Sequence, residues 1–134
     1  MKDTSTEEFH SEFMDKLERL PDGTYMTGLP WKESAGFLPT DKALASARLR
    51  STVRRLEKLG KIEEYHQIMK DQLDQGIIEK VPDTPTGEVV HWIPHQAVIR
   101  DNAEFTKLRI VYDCSAKSTA QDPSLNDLLE IGPP

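Results

Sequence analysis

Apolar positions recur at helical spacing along the first half of the chain and alternate along the second, and this change of period sets the expected architecture. In "STEEFHSEFMDKLERL" (5 to 20), Phe9, Phe13, Leu17 and Leu20 fall on one helical face behind a Ser or Thr cap and a first turn of acids. Pro21, Asp22 and Gly23 end that helix. "TYMTGLPWKES" reads as a short extended piece around Tyr25 and Leu29, closed by Pro30 and Trp31, and "AGFLPT" as a loop. Asp41 is placed to cap a second helix whose stripe is Ala45, Leu49, Val53, Leu56 and Leu59, with Leu44 beside its start and Gly60 as the stop. A third helix spans 61 to 75 on Ile62, Tyr65, Met69 and Leu73, with Ile68 one step round, and Gly76 ends it.

The period then becomes two. "IIEKV" reads as a brief strand and "PDTPTGE" as a turn-rich connection. "VVHWIPHQAVIR" (89 to 100) and "FTKLRIVYD" (105 to 113) are strands joined by "DNAE", a connection of hairpin length, so they pair antiparallel. "QDPSLNDLLEIGPP" starts a short helix at Ser124, where Asp127 stands at the position that completes a cap, and breaks at Gly132. The expected fold class is α+β: N-terminal helices followed by an antiparallel β-hairpin. An acidic helical segment over 1–22 precedes a main body over 23–134.

A chain of 134 residues suits one domain with a modest core. Its hydrophobic fraction of 37% and charged fraction of 30% give a heavily surfaced protein that stops short of the composition of a disordered segment. No apolar run reaches the roughly 18 residues of a membrane span, and "MKDTSTEEF" has the wrong charge for a leader, so no membrane partner is expected. Cys114 is the only cysteine, which leaves no internal disulfide and points to a reducing, intracellular and cytoplasmic setting. The net charge of -6 hides a segregation: residues 41 to 61 hold seven bases against Asp41 and Glu57, while residues 1 to 20 hold six acids against three bases. The basic helix is either a phosphate-facing surface built on Arg50, Arg54, Arg55 and Lys58 or a solvated helix face.

Candidate chemistries narrow to the hairpin. His91, His95 and Cys114 lack the fourth ligand and the spacing of a metal site, and nothing flanks Cys114 to make it a nucleophile; packed or hydrogen-bonded side chains account for all three. No glycine-rich phosphate loop occurs. In "TKLRIVYDCSAKS" (106 to 118), by contrast, Leu108, Ile110 and Tyr112 share one strand face and Lys107, Arg109, Val111 and Asp113 the other. Lys107 and Arg109 then stand roughly 6.6 Å apart, a span that suits two oxygens of a polyphosphate. Arg100 can reach the same edge, with Asp113 available to orient one of the three cations. The alternative is an edge strand kept from aggregating by its charge.

The succession "GTYMTGLPWKES", "ASARLRSTVRRLEKLGKIEEYHQIMKDQLDQGIIEKV", "HWIPHQAVIR", "TKLRIVYDCSAKS" and "SLNDLLEIGPP", from about Gly23 to Pro133, resembles the start of the polymerase domain of BEL/Pao-type retrotransposon reverse transcriptases. The resemblance implies an incomplete fingers subdomain of a right-hand polymerase, folded over template and incoming nucleotide. Arg109 matches the basic residue that approaches the nucleotide triphosphate, with Lys107 or Arg100 as a second contact. Asp113 and Ser115 fall where the family's strand turns toward the template, and Asn126 lies in the helix beneath it. The implied partners are a template-primer, a deoxynucleotide triphosphate and the palm and thumb regions.

The family's palm carboxylates hold two Mg2+ ions, one carboxylate on a strand beyond the G-P motif and two in a Y-x-D-D-type turn. Neither motif occurs in these 134 residues. The chain is therefore expected to contribute contacts without polymerising by itself, as a fragment with no cofactor and no catalytic residue of its own. The alternatives are a non-catalytic nucleic-acid-binding module and an inert interaction protein.

Overall fold

The computed structural model describes residues 11, 14–85, 87, 89–102, 104 and 106–131. The chain forms two compact units, one of residues 1–37 with 126–134 and one of residues 38–125. Both are built from helices and antiparallel strand pairs, the α+β class that the change of period predicts.

In the first unit, Ser11 and residues 14–16 are helical, and most of the expected helix over 5 to 20 lies outside the described residues. Its C-terminal part is not helical. Glu18–Arg19 is strand β1, paired antiparallel with β2, Tyr25–Met26, with Glu18 opposite Met26 and Arg19 opposite Tyr25. The turn between them decides this: Gly23 takes φ 93, its N–H reaches the Leu20 carbonyl at 2.9 Å, and Asp22 accepts the Thr24 N–H at 2.9 Å. The chain reverses too sharply for a helix to continue. The expected helix from Ser124 shrinks to a single 3-10 turn, Asn126–Leu128, and Trp31 bridges Leu129.

In the second unit, α1 is Lys42–Lys58 and α2 is Ile62–Asp74, both within a residue or two of expectation. Gly60 at φ 66 ends α1 while the Lys61 N–H returns to the Leu56 carbonyl at 2.9 Å; Gly76 at φ 74 and the bond from Ile77 to Gln72 repeat the device on α2. Those bonds wrap Ile77 and Ile78 around the helix end, so "IIEKV" is not a strand. Asp41 occupies the N-cap position at φ 55, yet its carboxylate makes no capping bond. It accepts the Ser118 hydroxyl at 2.8 Å instead.

β3, His95–Asp101, pairs antiparallel with β4, Thr106–Tyr112, from His95 opposite Tyr112 to Asp101 opposite Thr106. β3 begins six residues later than the pattern suggests. The Trp92 N–H is spent on the Thr40 carbonyl at 2.7 Å, Pro94 has no N–H to offer a ladder, and the Pro94 carbonyl receives the Asp113 N–H at 2.9 Å. One face of the hairpin packs on the helices: Ala97 and Leu108 join Leu56 of α1 and Tyr65 of α2 in the buried core, with Ile62, Ile68, Met69, Ile99 and Ile110 against them. Leu56 is fully buried. Among the described residues no helix is long and apolar enough to cross a membrane.

Candidate functional site

Strand alternation and the observed register together fix which side chains share the outer face of the hairpin. His95, Ala97 and Ile99 lie opposite Tyr112, Ile110 and Leu108 and face the helices. Gln96, Val98 and Arg100 lie opposite Val111, Arg109 and Lys107 and form the other face. Arg100, Lys107 and Arg109 are exposed. Arg100 stands directly across from Lys107, with Arg109 two residues along, so three cations share one face that carries no acid. Among the described residues none of the three forms an ion pair. Like charges directly opposite one another repel.

Asp113 is occupied elsewhere. Its Oδ2 accepts Arg48 Nη1 at 2.8 Å, and its Oδ1 accepts the Ser115 hydroxyl at 2.6 Å and the Ser115 N–H at 3.2 Å. These donors, Ser115 first and then Arg48, hold the carboxyl below the ordinary carboxylate range. Asp113 therefore orients a cation of α1 and not one of the three hairpin cations, correcting the expectation from strand alternation. The reason is that β4 ends at Tyr112, one residue before the alternation would count Asp113 in. Ser115 closes the turn that follows, and its hydroxyl hydrogen is committed to Asp113.

The basic residues of α1 divide by helical angle. Arg48 and Arg55, seven residues apart, lie on one flank; Arg48 Nη2 also reaches Gln96 Oε1 at 3.5 Å, and Arg55 Nη1 donates to the Ala97 carbonyl at 3.2 Å. Both tie α1 to the hairpin. Arg54 is two residues from buried Leu56, about 160° round the helix, and with Arg50 and Lys58 it stays exposed. Of the four α1 residues expected to face phosphate, Arg55 thus has a structural bond as well. Arg48, which sequence reasoning passed over, was detectable only as the residue one heptad before Arg55. Asn126, the exposed first residue of the 3-10 turn, belongs to the other compact unit.

The two histidines have structural partners. Tyr65 and His95 meet at 2.6 Å between Oη and Nδ1. Burial pushes the Tyr65 hydroxyl up to about 12, with Tyr112 adding to the effect, and burial lowers His95, so a protonated phenol is hydrogen-bonded to a neutral ring. His95 also meets Tyr112 edge-on. His91 donates from Nδ1 to the Pro39 carbonyl at 2.7 Å and lies 4.0 Å from Asp41 Oδ2. Cys114 is half-buried. Among the described residues no group of three or more His, Cys, Asp or Glu side chains is placed to hold a metal ion. No family model, curated protein or solved structure matches the chain.

Proposed function

We propose that the outer face of the β3–β4 hairpin binds the triphosphate of a deoxynucleotide, and that this chain supplies the fingers portion of an RNA-directed DNA polymerase of the BEL/Pao retrotransposon kind. The observation that carries this reading is the exposed trio Arg100, Lys107 and Arg109, on one face with no acid among them. Arg109 is the principal contact, because its planar fork pairs with two phosphate oxygens at once; Lys107 and Arg100 supply point and fork charges beside it. The buried inner face gives these side chains a rigid platform, so that little ordering accompanies binding.

Asp113 and Ser115 contribute by shape in this reading. Their mutual bonds, braced by Arg48, hold the turn after β4 compact so that a template strand can pass it, and Asn126 is assigned to the template on the family's pattern. The two-metal chemistry of polymerisation belongs to carboxylates that these 134 residues do not contain, since no Asp-Asp pair occurs among them. Mg2+ serves the complete polymerase, along with the palm and thumb.

A fluorescent deoxynucleotide titrated into the purified chain tests the assignment. Arg109→Ala removes a charge-assisted contact of about 1.5–3 kcal/mol and weakens binding by about ten- to a hundredfold. A monophosphate analogue binds more weakly than the triphosphate. Equal affinity of Arg109→Ala and the parent chain for the triphosphate defeats the assignment. Primer extension with Mg2+ on the same preparation yields no incorporation; extended product would move the chemistry into this chain.

A further inference from the structure

The two edges of the hairpin are unequal. The Asp113 N–H meets the Pro94 carbonyl at 2.9 Å, so the next pair along the ladder, His95 with Tyr112, is a non-hydrogen-bonded one, and the two kinds alternate from there. Gln96, Val98 and Arg100 therefore exchange main-chain bonds with Val111, Arg109 and Lys107. The N–H and C=O groups of Ala97 and Ile99 point away from β4, and those of Leu108, Ile110 and Tyr112 point away from β3. Arg55 Nη1 on the Ala97 carbonyl at 3.2 Å is an independent sign of the same phase, and it covers the β3 edge from α1. The β4 edge has no such cover. Its sheet has two strands only, and among the described residues no hydrogen bond from outside the hairpin reaches the main chain of Leu108, Ile110 or Tyr112.

Charge decides what this edge accepts. Lys107 and Arg109 stand exposed on the outer face beside it, with Arg100 across the hairpin. A second copy of β4 laid alongside brings further cations onto that face, so self-pairing is disfavoured. We infer that the β4 edge takes an extended acidic segment of a partner protein as an additional antiparallel strand, its acids alternating with apolar side chains. Directly opposite residues share a face in such a pair, so the acids meet Lys107 and Arg109 while the apolar residues between them lie opposite Leu108, Ile110 and Tyr112. Each of the latter three exchanges main-chain bonds with its new neighbour. The inner face of the hairpin is already fixed on the helices, so the edge is formed before the partner arrives.

The inference does not rest on the nucleotide reading, although Lys107 and Arg109 belong to both, and one experiment separates them. The probe is a fluorescent peptide seven residues long, the length of β4, alternating valine and glutamate, and its anisotropy is followed as the purified chain is added. In the antiparallel pair the valine N–H groups point at β4 and the glutamate N–H groups point away. N-methylation of the valine amides therefore weakens binding by at least about tenfold, N-methylation of the glutamate amides leaves it within about twofold, and neither changes the charge. Lys107→Glu/Arg109→Glu lowers affinity for this peptide by about tenfold and makes a lysine and valine peptide the better ligand; both positions are exposed, and circular dichroism checks the fold. No binding of the unmethylated peptide overturns the inference, and so does an equal effect of the two methylations or a loss confined to the glutamate set. A dimer of the parent chain that the peptide fails to dissociate, seen by sedimentation velocity, gives the edge to a second copy and overturns it too. A chain that binds the triphosphate but no peptide loses this inference alone; one that binds the peptide in the valine-sensitive manner but no triphosphate loses the nucleotide reading alone.

Discussion

Replacing Asp113 by Asn should cost stability that depends on pH in a defined way. The carboxylate accepts Arg48 Nη1 at 2.8 Å, the Ser115 hydroxyl at 2.6 Å and the Ser115 N–H at 3.2 Å. Asparagine keeps one oxygen for Ser115 but turns an amide donor on the Arg48 guanidinium, so the charge-assisted bond is lost. Such bonds are worth about 1.5–3 kcal/mol, and the partial exposure of both side chains, 32% for Arg48 and 23% for Asp113, brings the expectation to about 1–2 kcal/mol. The carboxyl is depressed below its ordinary 3.8 in the folded chain, so between the two values the unfolded state binds more protons and stability rises with pH. The contribution is complete well above 3.8 and is lost as the pH falls through the folded value. Urea unfolding of the parent chain and Asp113→Asn should therefore differ at pH 7 and converge in strong acid. A double-mutant cycle with Arg48→Met isolates the pair and should return about 1 kcal/mol of coupling. A gap below about 0.3 kcal/mol at pH 7, or one of equal size in strong acid, would refute the reasoning.

Two further outcomes test the frame around the site. Burial lowers His95 from its ordinary 6.5, so as the pH drops from that value the unfolded chain takes up a proton that the folded one refuses, and stability falls; His95→Gln should flatten this slope between pH 7.5 and 5, and an unchanged slope would exclude His95 as its source. Gly60→Ala should cost about 1 kcal/mol by thermal unfolding, because the added methyl meets nothing within 4 Å and the penalty is that of φ 66 alone, whereas Gly36→Ala, with open space and no left-handed backbone, should be nearly neutral.

The amino-acid pattern by itself determined the two helices, their glycine stops, the antiparallel hairpin and the cationic outer face, because each depends on period and on local backbone chemistry. Helical spacing needs no distant partner to declare itself at Leu56 or Tyr65, and alternation puts Lys107 and Arg109 on one face whatever lies beneath. Tertiary structure decided where hydrogen-bonding capacity is spent. Trp92 gives its N–H to Thr40, which withdraws it from β3; the Asp41 carboxylate turns from its own helix to Ser118, 77 residues away; Asp113 is taken by Arg48, 65 residues before it. Arg48 and Arg54 look alike along the chain, and only the helix angle relative to the hairpin edge ties one down and leaves the other exposed. A polar group takes the partner that folding brings within 3 Å, and for these residues that partner is set by packing far along the chain.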